Sequence, residues 1–259
     1  MKRRGGRRGA GWVALLLLLL GWEGLARSGL VTAFMLPPLT TVLLRVAADA
    51  ASGELWQGLG STLYRALLGF AIAGSTGIVL GILVAHNRLV RWFFDPIISI
   101  GFPVPKIVFL PVLALWLGYF DVSKIAMVVL DAIFPVLTAT MAGAASVERE
   151  LLWSARNLGA GERQLLWEIV LPAALPQILT GLQVALPVAL IVGIITEMTM
   201  GGIGLGAAMT KASRFADSPG VFAGILEIAA VGFVLIQGMA LVRRRLLAWH
   251  REAMSAAME

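Results

Sequence analysis

The chain has 259 residues, of which 59% are hydrophobic and 14% charged, with no cysteine and a formal net charge of +6. Soluble domains carry about 25% charged residues, so a chain this apolar has too little polar surface to cover a core in water. The lack of cysteine excludes disulfides, thiolate metal sites and cysteine nucleophiles, and the basic residues sit in short clusters between apolar runs, a pattern that orients a membrane protein and does not build a nucleic-acid surface.

The N-terminus begins with Lys2, Arg3, Arg4, Arg7 and Arg8 before an apolar stretch centred on Leu15 to Leu20. A secretory signal peptide starts in the same way, but no small-x-small cleavage site follows and further apolar runs do. The stretch reads as an uncleaved first span. Six spans are expected, at residues 11–25, 63–84, 93–117, 125–145, 178–200 and 221–242; the first is short and continues irregularly past Glu23 and Arg27, and the others are near the roughly 20 apolar residues that cross a bilayer as helix. Between the first two, Pro37 and Pro38 interrupt the chain, and the stretch from Leu39 onward reads as an amphipathic interfacial helix. The organisation expected is a basic N-terminal segment with the first span and the interfacial stretch at 1–54, a core membrane domain at 55–245 and a C-terminal tail at 246–259.

Lysine and arginine set the orientation. With the N-terminus in the cytoplasm, Arg88 and Arg91, then Arg149, Arg156 and Arg163, and finally Arg243, Arg244, Arg245 and Arg251 all fall on the cytoplasmic side. Both termini are then cytoplasmic. In the second span, Gly69, Gly74, Gly77 and Gly81 permit close helix approach, read here as packing within the chain. The third span holds Pro96, Pro103, Pro105 and Pro111, each of which removes a backbone donor, so a break or kink is expected. Irregular backbone at membrane depth survives only where protein or a water-filled cavity satisfies it, which favours a transport path over a passive anchor.

The stretch at 148–172, between the fourth and fifth spans, is a cytoplasmic loop with helical periodicity. Leu151, Leu152, Ala155 and Leu158 recur at helical spacing, Gly159 and Gly161 punctuate the run, and a second short helix with Leu165, Leu166 and Ile169 on one side is expected to end at Pro172. A helix, a glycine turn and a helix on the cytoplasmic face suit docking into a groove of another protein. A pair of surface helices packed on the chain's own membrane domain would show the same periodicity, and both readings stand on periodicity alone.

The residues of this stretch resemble the signature Glu-Ala-Ala-x3-Gly-x9-Ile-x-Leu-Pro of binding-protein-dependent ABC importer permeases. Ala155, Gly159, Ile169, Leu171 and Pro172 fall on its spacing, Ser154 stands for the first alanine, and Trp153 stands where the family has glutamate. The run Ser61 to Phe70 resembles the start of that family's core domain. Pro-Lys-Ile-Val-Phe-Leu-Pro at 105–111, Leu-Trp-Leu-Gly at 115–118, Ser-Lys-Ile at 123–125, Phe-Pro at 134–135, Thr-Glu-Met at 196–198 and the glycines ending at Gly206 resemble the nitrate/sulfonate/taurine branch. Permeases for thiamine-precursor pyrimidines and flavins look much the same, and they are the alternative within the family.

The resemblance implies an all-α, type I importer permease with six transmembrane helices and a cytoplasmic coupling helix–turn–helix. It further implies a multi-pass protein of the bacterial inner membrane, working as a homodimer. Two cytoplasmic ATPase subunits would bind ATP and magnesium, an extracytoplasmic binding protein would deliver a small anionic solute, and Trp153, Ser154, Ala155, Gly159, Ile169, Leu171 and Pro172 would contact the ATPase. This chain has no Gly-x4-Gly-Lys-Ser/Thr run of its own to cradle ATP phosphates, and Gly201 to Gly206 lacks the strand–helix context of a dinucleotide site and reads as a flexible extracytoplasmic turn. No cofactor or nucleic acid is expected in this chain.

The candidates for ionisable groups at membrane depth are Lys106, Asp131, Glu197 and Glu227. Such groups are costly in lipid and face a cavity or a partner. Lys106, among prolines, has the charge to attract an anionic solute or to pair with Glu197 or Asp131. Path-lining and purely structural roles both remain open for Lys106 and Glu197, while a structural pair or a group reaching water is the simpler account of Asp131 and Glu227. His86 and His250 are too isolated for a metal site. Two readings from other classes fit the sequence less well. An ion-coupled secondary transporter explains the broken span but not the cytoplasmic signature, and no internal repeat is evident. An intramembrane enzyme needs a polar catalytic group, and no Ser/His/Asp constellation is present.

Overall fold

Residues 5–248 are described by a computed structural model. Lys2, Arg3 and Arg4, and the tail from residue 249 with His250 and Arg251, lie outside the described residues. Among the described residues every regular element is a helix. Four stretches of the described residues are long and apolar enough to cross a membrane: Glu54–His86, Asp121–Ala145, Glu162–Met200 and Ser218–Leu246. The pair Arg88–Gly101 and Lys106–Leu117, bent by 96°, makes five if it is one broken span. The kink expected from the prolines of the third span is therefore present. The expected first span lies within the N-terminal helix α1 (Gly5–Arg27), which is outside that group.

The packing divides the chain into two compact units, Met1–Ser61 with Glu197–Ala230, and Thr62–Thr196 with Val231–Glu259. In the first unit, α1 is followed by α2 (Leu39–Ser52). Pro38 at the N-cap of α2 has no side-chain acceptor for the orphan amides of the first turn. Glu23 of α1 supplies one instead, accepting the Thr40 N–H at 3.2 Å and its hydroxyl at 3.0 Å. The Trp22 indole N–H donates to the Pro37 carbonyl at 3.0 Å, tying the proline turn back to α1. Val42 is fully buried while Leu43 and Leu44 are exposed, the two-sided character expected of an amphipathic α2. Gly53, with φ +88°, closes α2, and α3 (Glu54–His86) begins at once.

The second unit is built on close approach of helices. α6 (Asp121–Ala145) meets the glycine face of α3. A Cβ at Gly69 would lie 2.5 Å from Val128 Cγ1, and one at Gly81 would lie 2.6 Å from Thr140 Cβ. Gly77 faces Val136 in the same row. The glycines of α3 thus serve packing within the chain, as the sequence indicates, because without side chains dispersion contact can extend along the helix backbones. α9 (Leu171–Met200) repeats the device, with Gly181 against Ala139 and the Pro135 carbonyl of α6.

α4 (Arg88–Gly101) is capped by Asn87, whose side chain accepts the N–H groups of Leu89 and Val90. Its face packs through Ile98, Val90 and Phe94 on Val84 and Leu137. The chain then turns through residues 102–105, takes a 3₁₀ turn at Lys106–Phe109 and enters α5 (Leu110–Leu117) with Pro111 in its first turn, where a missing N–H costs nothing. The remaining helices are α7 (Arg149–Asn157), the single turn α8 (Glu162–Gln164), α10 (Leu205–Arg214) and α11 (Ser218–Leu246).

One expectation is corrected here. The second cytoplasmic helix does not end at Pro172, and Glu162–Met200 runs on as one helical stretch of 39 residues. Leu165–Val170 is a π-helical turn, in which the Leu171 N–H reaches back to the Leu166 carbonyl. The widened turn makes room for Pro172, which lacks an N–H and whose ring would otherwise crowd a carbonyl one turn back.

Candidate functional site

α7 ends in a Schellman motif. The Ala160 N–H bonds the Ala155 carbonyl at 3.0 Å, and the Gly159 N–H bonds the Arg156 carbonyl at 3.0 Å. This geometry needs a left-handed residue at the position after the cap, and Gly159 supplies it with φ +87°. The spacing of Ala155 and Gly159 is therefore the spacing of a helix stop. The turn is held on its far side by Glu162, which accepts from Arg156 at 3.0 Å and lies 3.2 Å from His86 Nε2 at the end of α3. The Gly161 N–H donates to the Gln164 side chain at 3.1 Å and starts the next helical turn.

The two halves of this segment differ in burial. α7 has no buried residue. Trp153 is 58% exposed and Leu158 86% exposed, with Leu151 and Trp167 also uncovered. After the turn, Leu165 and Val170 are buried, with Ile169 half-buried beside them, and the chain runs on into α9. Ser154 and Pro172 are exposed, and Ala155 and Leu171 half-buried. Nothing stands within 4 Å of a Cβ built at Gly159, so the space on that side of the turn is open.

Lys106 lies in the second unit and is 8% exposed. Its Nζ donates to the Phe102 carbonyl at 2.8 Å, stands 3.5 Å from Asp131 Oδ1 and sits 4.5 Å from the centroid of the Phe134 ring. A carbonyl, a carboxylate and a π face together satisfy the ammonium. Of the two acids considered as partners, Asp131 is the one that faces it. Asp131 and Phe134 belong to α6 and Phe102 caps α4, so Lys106 braces the corner where the third span breaks.

Glu197 lies in the first unit and is fully buried. Its Oε2 accepts the Gly206 N–H at 3.1 Å, in the first turn of α10, where the helix dipole favours an anion. The turn at 201–204 wraps this carboxylate so closely that a Cβ at Gly204 would lie 2.3 Å from it. The glycine run, expected to be a flexible turn, is folded around a buried acid, and its last two residues belong to α10.

Sequence reading missed a third cluster. Arg45 donates to Asp49 at 2.9 Å and to Asp217 at 2.7 Å, all within the first unit. The hydrogen bond to Asp49, then the charges of Asp49 and Asp217, hold the guanidinium above its ordinary value against partial burial. The Arg45/Asp49 spacing of four on an amphipathic helix was a visible signal, whereas the approach of Asp217 was not.

The match to known proteins is broad. Residues 77–248 match the family described as binding-protein-dependent transport system inner membrane component. The chain is 36% identical over 243 residues to the taurine transport system permease protein of Escherichia coli (strain K12), spanning 92% of this chain and 88% of that protein. It is 33% identical over 253 residues to the putative aliphatic sulfonates transport permease protein of Bacillus subtilis (strain 168), spanning 96% and 92%. In fold it resembles a chain in the crystal structure of a bacterial ABC transporter involved in the import of the acidic polysaccharide alginate, with TM-score 0.66 and 14% identity over 94% of this chain and 99% of that one.

Proposed function

This chain belongs to the family of binding-protein-dependent transport inner-membrane components, and from that premise we propose how it works. It is a multi-pass membrane permease subunit of an ATP-binding-cassette importer and not an enzyme; ATP is handled by a partner ATPase. Two copies form the path, each with an ATPase subunit at its cytoplasmic face, and a binding protein delivers the solute at the other. Each copy has six spans, counting α1 and the bent α4–α5 pair, and both termini lie in the cytoplasm. The basic clusters support this orientation. The core domain is 55–245, with 1–54 and 246–259 as its flanks. The solute is a small sulfonate of the taurine type, the chemistry named for the relatives described above.

The coupling element is the segment 148–172. The observation that carries this reading is the contrast between its halves, an amphipathic α7 with no buried residue leading through a rigid Schellman turn to a helix that buries Leu165 and Val170. A short helix that leaves Leu151, Trp153 and Leu158 uncovered fits an apolar groove on the ATPase. The second half then passes motion straight into α9, because Glu162–Met200 is one helical stretch. Trp153 takes the place of the family glutamate as an apolar contact. Lys106 and Glu197 brace the path, Lys106 at the broken span and Glu197 beneath the glycine turn.

The test is copurification of the ATPase across a salt series, at equal membrane insertion. Trp153→Ala should weaken ATPase association about tenfold or more, the scale of a buried aromatic anchor, with little dependence on salt. Gly159→Val places a β-branched residue at positive φ and should break the coupling of ATP hydrolysis to uptake. Full ATPase binding and coupled uptake in both variants would remove this segment from the coupling role. Reporter fusions after Ser123 and Ser213 should read as extracytoplasmic, and cytoplasmic signals there would overturn the orientation.

A further inference from the structure

The first unit contains a cavity of about 600 Å³ between α2, the start of α3, the turn at 201–204, α10 and the start of α11. This is within the roughly 300–1,000 Å³ of small-molecule sites. In the proposed topology it opens on the extracytoplasmic side. Its lining carries both signs of charge. Arg45 is occupied by Asp49 and Asp217, which leaves two cations, Lys211 and Arg214, and two acids, Glu54 and Glu227. None of these four makes an ion pair among the described residues.

The placement of Glu227 is the informative part. Gly220, Gly224 and Glu227 follow one another at helical spacing on the cavity face of α11. A Cβ at Gly224 would lie 3.1 Å from Met209, so the two glycines let α10 lie against the helix and leave Glu227 as the polar group on that face. It stands nine residues into α11, about 14 Å along the axis from the helix start. Its Oε1 is buried without a hydrogen-bond partner. A buried carboxylate oxygen with no donor is a costly feature, and an acid inside a span calls for a partner. Lys211 and Arg214, on the last turn of α10, are exposed and supply the opposite charge.

We propose that this cavity is a transit site for a small dipolar solute, an amine-bearing sulfonate or similar zwitterion, whose acid group meets Lys211 and Arg214 and whose ammonium meets Glu227. A simple anion is the poorer fit, because the charges of the lining nearly balance and an anion would leave Glu227 without a donor. A solute with an acid at one end and an ammonium at the other satisfies both sides at once. The proposal rests on the importer reading and narrows its substrate class to solutes that also carry an amine.

The experiment uses the solubilised complex of full-length permease and ATPase, without binding protein, in equilibrium dialysis against labelled taurine and labelled ethanesulfonate, which lacks the amine. Taurine should bind saturably. Glu227→Gln, which keeps the size of the side chain, should weaken taurine about tenfold or more, the scale of one charge-assisted hydrogen bond, and leave ethanesulfonate unchanged. Lys211→Gln combined with Arg214→Gln should weaken both. A wild-type complex that imports with its binding protein yet binds no taurine overturns the cavity proposal and leaves the importer reading intact. So does Glu227→Gln acting on both probes equally or on neither. So too do variants that alter only ATPase stimulation by the binding protein, since the cavity is then a docking surface for that protein. Failure of the wild-type chain to retain the ATPase is a different result, and overturns the importer reading itself.

Discussion

α9 and α11 are nearly equally apolar, yet the protein treats them differently. In the most apolar stretch of Glu162–Met200, 56% of residues are buried within the protein, against 6% in the most apolar stretch of α11. α9 buries Ala174, Ala185 and Ala189 and brings Gly181 against α6. α11 exposes Phe233, Val234, Ile236 and Leu241. Apolarity admits a helix to the bilayer, but lipid tails are as apolar as leucine, so it does not decide which helices pack. Small residues let backbones approach only where a neighbour lies against them: Gly181 of α9 meets α6, whereas Gly238 of α11 has nothing within 4 Å of a built Cβ. The exposed face of α11 is left for lipid or for a second copy.

The largest expected effect follows from that contrast. Ile178 on α9 is 2% exposed, and Ile178→Ala should cost about 2–5 kcal/mol, the range for a truncated core side chain. Gly181→Leu should cost about 1–3 kcal/mol by overpacking, since its Cβ alone would lie 2.7 Å from Ala139. Thermal unfolding of the solubilised chain measures both. Equal tolerance of these changes on α9 and α11 would break the comparison.

An intermediate effect is expected at the third-span corner. Lys106→Met leaves the Phe102 carbonyl and Asp131 without their cation, at a cost of about 1–3 kcal/mol. Adding Asp131→Asn should recover part of that loss, the signature of a direct pair in a double-mutant cycle. Strict additivity would show that Lys106 acts without Asp131. The smallest effect belongs to α11, where Phe233→Ala should lie within about 0.5 kcal/mol, as for an exposed site. A loss as large as that of Ile178→Ala would sharpen the comparison by showing that a second copy covers this face.

Much of the architecture was legible because its signals are local. Apolar runs marked α3, α6, α9 and α11, and the prolines at 96, 103, 105 and 111 marked the broken span. Ala155 and Gly159 read as a helix and its stop because a Schellman motif is made within six residues. Pro172 misled, because proline ends an α-helix but a π-turn accommodates it, and no residue pattern distinguishes the two. The glycines at 201–204 read as a loose turn because the carboxylate that orders them reaches them by folding back from the end of α9.

Hydropathy and charge clusters sufficed to mark a membrane protein, and Ala155, Gly159, Ile169, Leu171 and Pro172 carried its resemblance to one family, since each signal depends on composition or on neighbours within a few turns. Tertiary structure alone decided the partners of the charges. Lys106 met Asp131 across 25 residues of sequence, Arg45 met Asp217 across 172, and Glu227 was left with an orphaned oxygen facing a cavity. A charge in a span announces a need for compensation, but the Coulomb and hydrogen-bond terms that meet it act over a few ångströms, and only the folded chain brings the compensating group that close.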